Sequence, residues 1–200
     1  MDKLLECASA FKSLMGCQYT FTLGRKGQLK QIILGFSATD FHHLLGLHKL
    51  KDISIARANR DYVFRDILSG RITYHTLKKS IYLHHIQNRI DIFPTLESLL
   101  DSNQLIFRYN HKRYPHSAIE GDFLLKMVDG ITLNIAFLFL DEAEQGLYFC
   151  RSFFPFDKTD YTKGQAQFTL LRKEKLCLSS GEITLQYNRL PFTSSPSRIS

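Results

Sequence analysis

The chain predicts an α+β fold, with helices in its first half packed on a mainly antiparallel β-sheet from its second half. Three observations carry this. Apolar residues recur at helical spacing in residues 2–15 and through much of 53–103. From residue 104 the hydrophobic period becomes two, and Asp129-Gly130 stands between two strand-like runs, a dipeptide that favours a tight type I′ turn. Helical and strand runs are segregated rather than alternating, which separates α+β from a wound parallel sheet. With 44% hydrophobic content in 200 residues the chain can bury one core. It reads as one domain over 1–188, with a disordered serine- and proline-rich tail at 189–200.

Leu4, Leu5, Ala8, Phe11 and Leu14 or Met15 place an amphipathic helix over 2–15, ended by Gly16. Residues 17–23 then alternate, with Tyr19, Phe21 and Leu23 on one face. G-R-K-G at 24–27 is turn material before a second strand at 29–36, so a hairpin exposes Arg25 and Lys26 at its tip. Those two are either a solvated loop or a phosphate contact.

Residues 37–52, S-A-T-D-F-H-H-L-L-G-L-H-K-L-K-D, carry His42, His43, His48, Lys49 and Lys51 among leucines. Ser37 and Asp40 fit a reciprocal helix cap. On an unbroken helix Phe41, Leu44 and Leu45 form one apolar stripe, and His43, Leu47 and Leu50 form another roughly opposite. The three histidines then point to different sides and do not all serve one site. Alternatively Gly46 ends the helix and L-H-K-L starts a new turn. Either way one histidine is semi-buried.

Asn59 caps a helix running to Ser69, with Gly70 after it. A longer helix is expected over 74–90, carrying Lys78, Lys79, His84, His85 and Arg89, with His84 and His85 as surface decoration. Phe93-Pro94 stops it, and a short helix follows to Leu100. Strands are expected at 104–109, 121–128, 131–140, 147–154, 167–171 and 183–187, with a basic loop at 110–116 and a polar loop at 155–165. A two-residue turn at 129–130 puts Lys126 on one face with Leu124, Val128, Leu133 and Ile135, and Asn134 with Leu125 on the other. A lysine there either snorkels at a sheet edge or is held for a purpose.

No apolar run reaches the roughly 20 residues needed to span a bilayer. The start M-D-K-L-L-E-C is no signal peptide, so the expectation is a cytoplasmic chain without membrane contact. Cys7, Cys17, Cys150 and Cys177 show no zinc-ligand spacing and read as buried free thiols. The net charge of +7 is concentrated in the first half and favours a polyanionic partner. No G-x-S-x-G elbow, Walker loop, dinucleotide fingerprint or H-E-x-x-H motif is present. The remaining set of histidine, lysine, arginine, tyrosine and hydroxyl groups suits metal-independent cleavage of RNA. One group takes the 2′-hydroxyl proton, a cation stabilises the phosphorane, and an acid protonates the leaving 5′-oxygen.

Y-T-F-T-L-G-R-K-G, F-H-H-L-L-G-L-H-K-L-K-D-I, K-S-I-Y-L-H-H-I-Q-N-R-I, and R-S-F-F with Y-T-K-G-Q, spread over residues 5–175, resemble the phage-associated nuclease family of the barnase–EndoU–colicin–RelE fold group. The resemblance implies a small RNase-like fold in which an open antiparallel sheet face holds the substrate. It implies metal-independent endoribonuclease activity in phage, mobile-element or toxin settings, with no cofactor and no metal. RNA, ahead of DNA, is the expected partner, with an immunity or antitoxin protein as a second. His43 is the first choice for proton transfer and His48 the second; Lys126 and Arg151 are candidates for phosphate and transition-state charge. Ser152, Tyr161, Gln165 and Lys49 are candidates for holding substrate. The alternative is a non-catalytic nucleic-acid-binding or protein-interaction module on a degenerate nuclease scaffold.

Overall fold

The computed structural model describes residues 1–102, 104–128 and 135–190. Among them lie strands β1 (Cys17–Arg25), β2 (Gln28–Leu34), β3 (Gln104–Arg108), β4 (Phe123–Val128), β5 (Ile135–Glu144), β6 (Leu147–Pro155), β7 (Ala166–Cys177) and β8 (Ile183–Asn188). They hydrogen-bond in the order β1-β2-β6-β5-β4-β3-β7-β8, and β7 also pairs with β1. The second pairing closes seven strands into a barrel, with β8 laid along β7. This corrects the expected class: the fold is a closed barrel carrying short helices, not helices packed on an open antiparallel sheet.

The physical reason is the length of β7. Its first residues pair with β3, its later ones with β8, and its other edge runs along β1 from Cys17 to Gly24. Only residues 167–171 read as strand from sequence, whereas β7 continues through R-K-E-K at 172–175 to Cys177. In the fold Lys173 points inward, is 1% exposed, and donates to the Ser102 carbonyl at 2.6 Å. Burial pushes its ammonium down to about 8.

The first hairpin forms, but its turn is shorter than expected. Lys26 (φ 51) and Gly27 (φ 77) are its two turn residues, both in the left-handed region that a type I′ turn requires, and Arg25 is a half-buried residue of β1 rather than part of the exposed tip. In the second, Val128 pairs with Ile135 rather than with Ile131, as a two-residue Asp-Gly turn demands. The Asp129-Gly130 turn, Leu133 and Asn134 lie outside the described residues, as does 191–200 of the expected tail. The parity survives: Lys126, paired with Phe137, shares a face with Leu124, Val128 and Ile135.

Inward-facing Tyr19, Phe21, Leu23, Leu125, Leu138 and Phe153 form one buried cluster with apolar residues of the helices. These helices are α1 (Lys3–Leu14), α2 (Ala38–Leu44), α3 (Arg60–Leu68), α4 (Tyr74–Leu77), α5 (Gln87–Ile92) and α6 (Leu96–Asp101). Asp2 caps α1, accepting from the Leu4 and Leu5 amides, and Asn59 caps α3 by accepting from the Tyr62 amide. The long helix expected over 74–90 is instead α4, a 3-10 turn at Leu83–His85, and α5. Asp52 accepts from the Ser80 hydroxyl and the Ile81 amide, and so holds the chain in a turn there. Barrel and helices meet at β6, which pairs with β2 in parallel only at Leu147 and Tyr148; beyond them α2 and α5 lie against it. A second apolar cluster, Phe107, Tyr109, Leu124, Phe137 and Phe139, covers the outer face with Tyr114, Ile119, Phe154 and Tyr161.

No helix of the described residues is long and apolar enough to cross a membrane.

Candidate active site

Phe41 anchors α2 in the core, its ring centroid 5.7, 5.0 and 5.4 Å from those of Phe11, Phe64 and Phe93. The Ser37 amide donates to Asp40 at 2.8 Å, so one half of the expected reciprocal cap starts the helix. Gly46 ends it with φ 83, a conformation that costs other residues roughly 1–2 kcal/mol. A 3-10 turn at Leu47–Lys49 follows. The new turn reverses the unbroken-helix expectation. His48 folds back to stack on His43, with centroids 4.5 Å apart and planes 19° from parallel. His42 lies 6.4 Å from His48, but its Nε2 is bonded to the Ile55 carbonyl at 2.9 Å and its ring is buried. That makes His42 a structural residue and leaves His43 and His48 as a half-buried pair, each with a shielded Nδ1 that has no hydrogen-bond partner among the described residues.

Cations surround the pair. Burial lowers the His43 imidazole first, with Arg60, Arg151, His42 and Arg89 acting in the same direction. His48 is pushed down to about 4, by burial and then by His43, Arg89, Lys49 and His42. Both are therefore neutral near pH 7, which makes them proton acceptors rather than donors. Burial and Arg89 also lower the Lys49 ammonium.

Arg89 stands out in the sequence only as one of the basic residues of the expected 74–90 helix, yet it links the pair to a cleft. Its guanidinium lies 5.3 Å from the Phe154 ring centroid, donates to the Leu44 carbonyl at 3.4 Å, and is lowered by burial to about 10. The cleft, of about 460 Å³, is lined by Lys49, His85, Asn88, Arg89, Phe154, Asp157, Lys158, Thr159 and Tyr161, with Ile119 and Pro155. Arg89 and Lys49 belong to this lining and neither stacked imidazole does.

The other expected site residues divide. Tyr161 lines the cleft and packs its ring 5.5 Å from Phe154. Arg151 reaches His43 electrostatically but is shared with Glu120 at 3.1 Å and Asp141 at 3.4 Å. Lys126 is held 3.4 Å from Asp160 on the outer face, where the Tyr114 hydroxyl also donates to the Asp160 carbonyl. Gln165 exchanges hydrogen bonds with the Asn110 backbone and so ties two loops together. Ser152 sits opposite Phe139 on β5. The structure thus brings His43, His48, Lys49 and Tyr161 around Arg89, while Lys126 is paired with Asp160 and Gln165 with the Asn110 backbone, away from that group.

The depressed imidazoles have a consequence for stability. An unfolded histidine titrates near 6.5; between that value and the lower folded ones the unfolded chain binds more protons, so stability rises with pH. The contribution is complete above about 6.5 and is lost as pH falls through the folded values, about 4 for His48. Asp40 and Asp141, raised by burial, act in the opposite sense, so the difference between variants is the informative quantity. A His43→Asn/His48→Asn double variant is expected to show a shallower fall of Tm between neutral and acidic pH than the parent. Parallel curves would remove the pair from the acid response.

Residues 3–190 match the family described as phage-Barnase-EndoU-ColicinE5/D-RelE like nuclease4. No curated protein and no solved structure matches the chain.

Proposed function

The chain belongs to the phage-Barnase-EndoU-ColicinE5/D-RelE like nuclease4 family, and on that premise we propose that it cuts RNA without a metal ion, using the 2′-hydroxyl as nucleophile. The observation that supports this best is the stacked, neutral His43–His48 pair bordered by Arg89 and Lys49 at the edge of a cleft. A cationic surround favours a phosphodiester over a divalent cation. It also makes the base conditional on substrate. The phosphate anion offsets the charges that depress the imidazoles, so its arrival raises their affinity for the 2′-hydroxyl proton. Arg89 and Lys49 supply charge to the phosphorane, and Lys49, lowered by burial, is the group suited to protonate the leaving 5′-oxygen.

One observation favours a second reading, in which the cleft grips RNA without cutting it: neither imidazole is part of the lining. A cleavage assay separates the two. Expected are RNA cleavage in excess EDTA, a 2′,3′-cyclic phosphate product, and no cleavage where the 2′-hydroxyl at the cut site is replaced by hydrogen. Activity that disappears in EDTA and returns with magnesium would replace the mechanism. Tight binding with intact RNA would favour the second reading.

A further inference from the structure

We propose that the barrel mouth beside the first hairpin is a second contact for the RNA strand, gripping a nucleotide remote from the cutting site; this rests on the reading of the chain as an RNA nuclease. The mouth holds a cavity of about 340 Å³ lined by Arg25, Lys26, Lys30, Arg108, Phe123 and Phe168, with Gln28 and Leu29. Its walls come from β1 and β2 on one side and from β3, β4 and β7 on the other, so it opens into the barrel rather than lying on one strand pair. It flanks the Tyr148 end of β6, whereas the cleft flanks Phe154. Six strand steps separate the two, about 20 Å.

A water-filled mouth needs polar side chains, but this one sets cations against rings. Arg25 lies 5.8 Å from the Phe168 centroid and Arg108 lies 5.3 Å from that of Phe123, the two rings being 5.6 Å apart. Asp122 pairs with Arg108 at 2.8 Å and Glu142 with Lys30 at 3.7 Å. Arg25 and Lys26 meet no carboxylate within 4.0 Å among the described residues, and the type I′ turn holds Lys26 exposed at the tip. Unanswered charge beside a half-buried aromatic ring suits one nucleotide: the phosphate meets the hairpin cations, and the base stacks on ring or guanidinium.

The test uses the full chain, a long non-cleavable 2′-O-methyl oligonucleotide, a long cleavable RNA and a cleavable dinucleotide. An Arg25→Gln/Lys26→Gln variant, whose changes sit at the half-buried last residue of β1 and the exposed first residue of the turn, is expected to bind the long oligonucleotide about tenfold more weakly, with a salt slope shallower by about 1–2. It should raise KM for long RNA, keep kcat, and cleave the dinucleotide as the parent does. Unchanged affinity and salt slope in the variant, with a parent that binds and cuts, overturn the mouth contact alone. A parent that neither binds nor cuts RNA overturns the nuclease reading and this proposal with it. Binding of polyglutamate in place of the oligonucleotide would also overturn it and point to an acidic protein partner.

A different observation carries a second inference. The β1–β7 register sets Cys17 opposite Cys177, and the Leu178 amide donates to the Gly16 carbonyl at 2.8 Å beside them. That bond marks a non-hydrogen-bonded pair, where Cα atoms approach to about 4.5 Å, within the range a disulfide spans. We infer that Cys17 and Cys177 form a reversible cross-strand disulfide when a peroxide is present. The Cys177 thiolate attacks peroxide to give a sulfenic acid, releasing hydroxide; Cys17 Sγ then attacks that sulfur, and its proton leaves with the displaced hydroxyl as water. Two thiols and one peroxide become one disulfide and two waters. Hydrogen bonds from Ser179 and Ser180 hold Cys177 down at about 6, whereas burial pushes Cys7 up to about 12 and also raises Cys150.

After treatment with hydrogen peroxide, the intact mass is expected to fall by two hydrogens, with a Cys17–Cys177 peptide that dithiothreitol releases. A Cys17→Ser variant should stop at the sulfenic acid, trapped by dimedone. Four thiols still open to alkylation in unfolded, peroxide-treated protein, or over-oxidation of Cys177 without a cross-link, would overturn the pairing.

Discussion

His43→Ala and His48→Ala are each expected to lower the rate of RNA cleavage by about 100-fold or more, the scale on which a general base contributes. The two variants should differ in kind. His48 borders Arg89 and Lys49, so its loss removes the proton acceptor nearest the cleft and should act on kcat. His43 faces Arg60 and Arg151 and supports the His48 ring by stacking. Its replacement by a flat side chain, His43→Asn, is expected to recover part of what alanine loses. Single-turnover cleavage at saturating enzyme reads the difference directly. If both alanine variants stay within tenfold of the parent, the imidazole pair has no part in the chemistry.

Gly46→Ala is expected to destabilise the fold by about 2–4 kcal/mol, summing a left-handed backbone without glycine and an overpacked contact. A Cβ at this position would meet Ile86 Cγ2 at 2.9 Å and Arg89 Cδ at 3.5 Å. The damage therefore falls on the residue that links the imidazoles to the cleft. Denaturant unfolding measures the first effect. Cleavage assayed well below the unfolding transition measures the second, and full activity in a folded Gly46→Ala protein would show that Arg89 tolerates displacement.

Local chemistry was legible where a residue acts on its own neighbours. Asn59 at the start of α3 and a glycine-bearing turn within residues 24–27 each follow from backbone requirements within a few residues. The family was legible too, from the histidine-leucine-glycine stretch and the segments around it. What failed was long-range. Arg172, Lys173, Glu174 and Lys175 fall outside the expected strand because nothing local signals that a barrel wall will take them; Ser102, Glu97 and Asp101, which receive the two lysines, stand about seventy residues earlier. The histidine geometry hung on Gly46, where an unbroken helix and a new turn were both open, and only the packing of Ile86 and Arg89 around it decides. Arg89 itself gains its role from Phe154, far along the chain, so no spacing rule could single it out.

The pairing of β7 with β1 also sets an order on how the chain reaches its folded state. Strand β1 emerges well before β7 during synthesis, so one of its edges has no partner until residues 169–177 exist. Contacts this distant in sequence close slowly, because the loop entropy is lost before the pairing returns it. Through that interval β1, with Tyr19, Phe21 and Leu23 on its inner face, presents an unsatisfied edge to any other extended chain. Nascent copies of this protein are therefore most exposed to misassembly just before their last long strand appears.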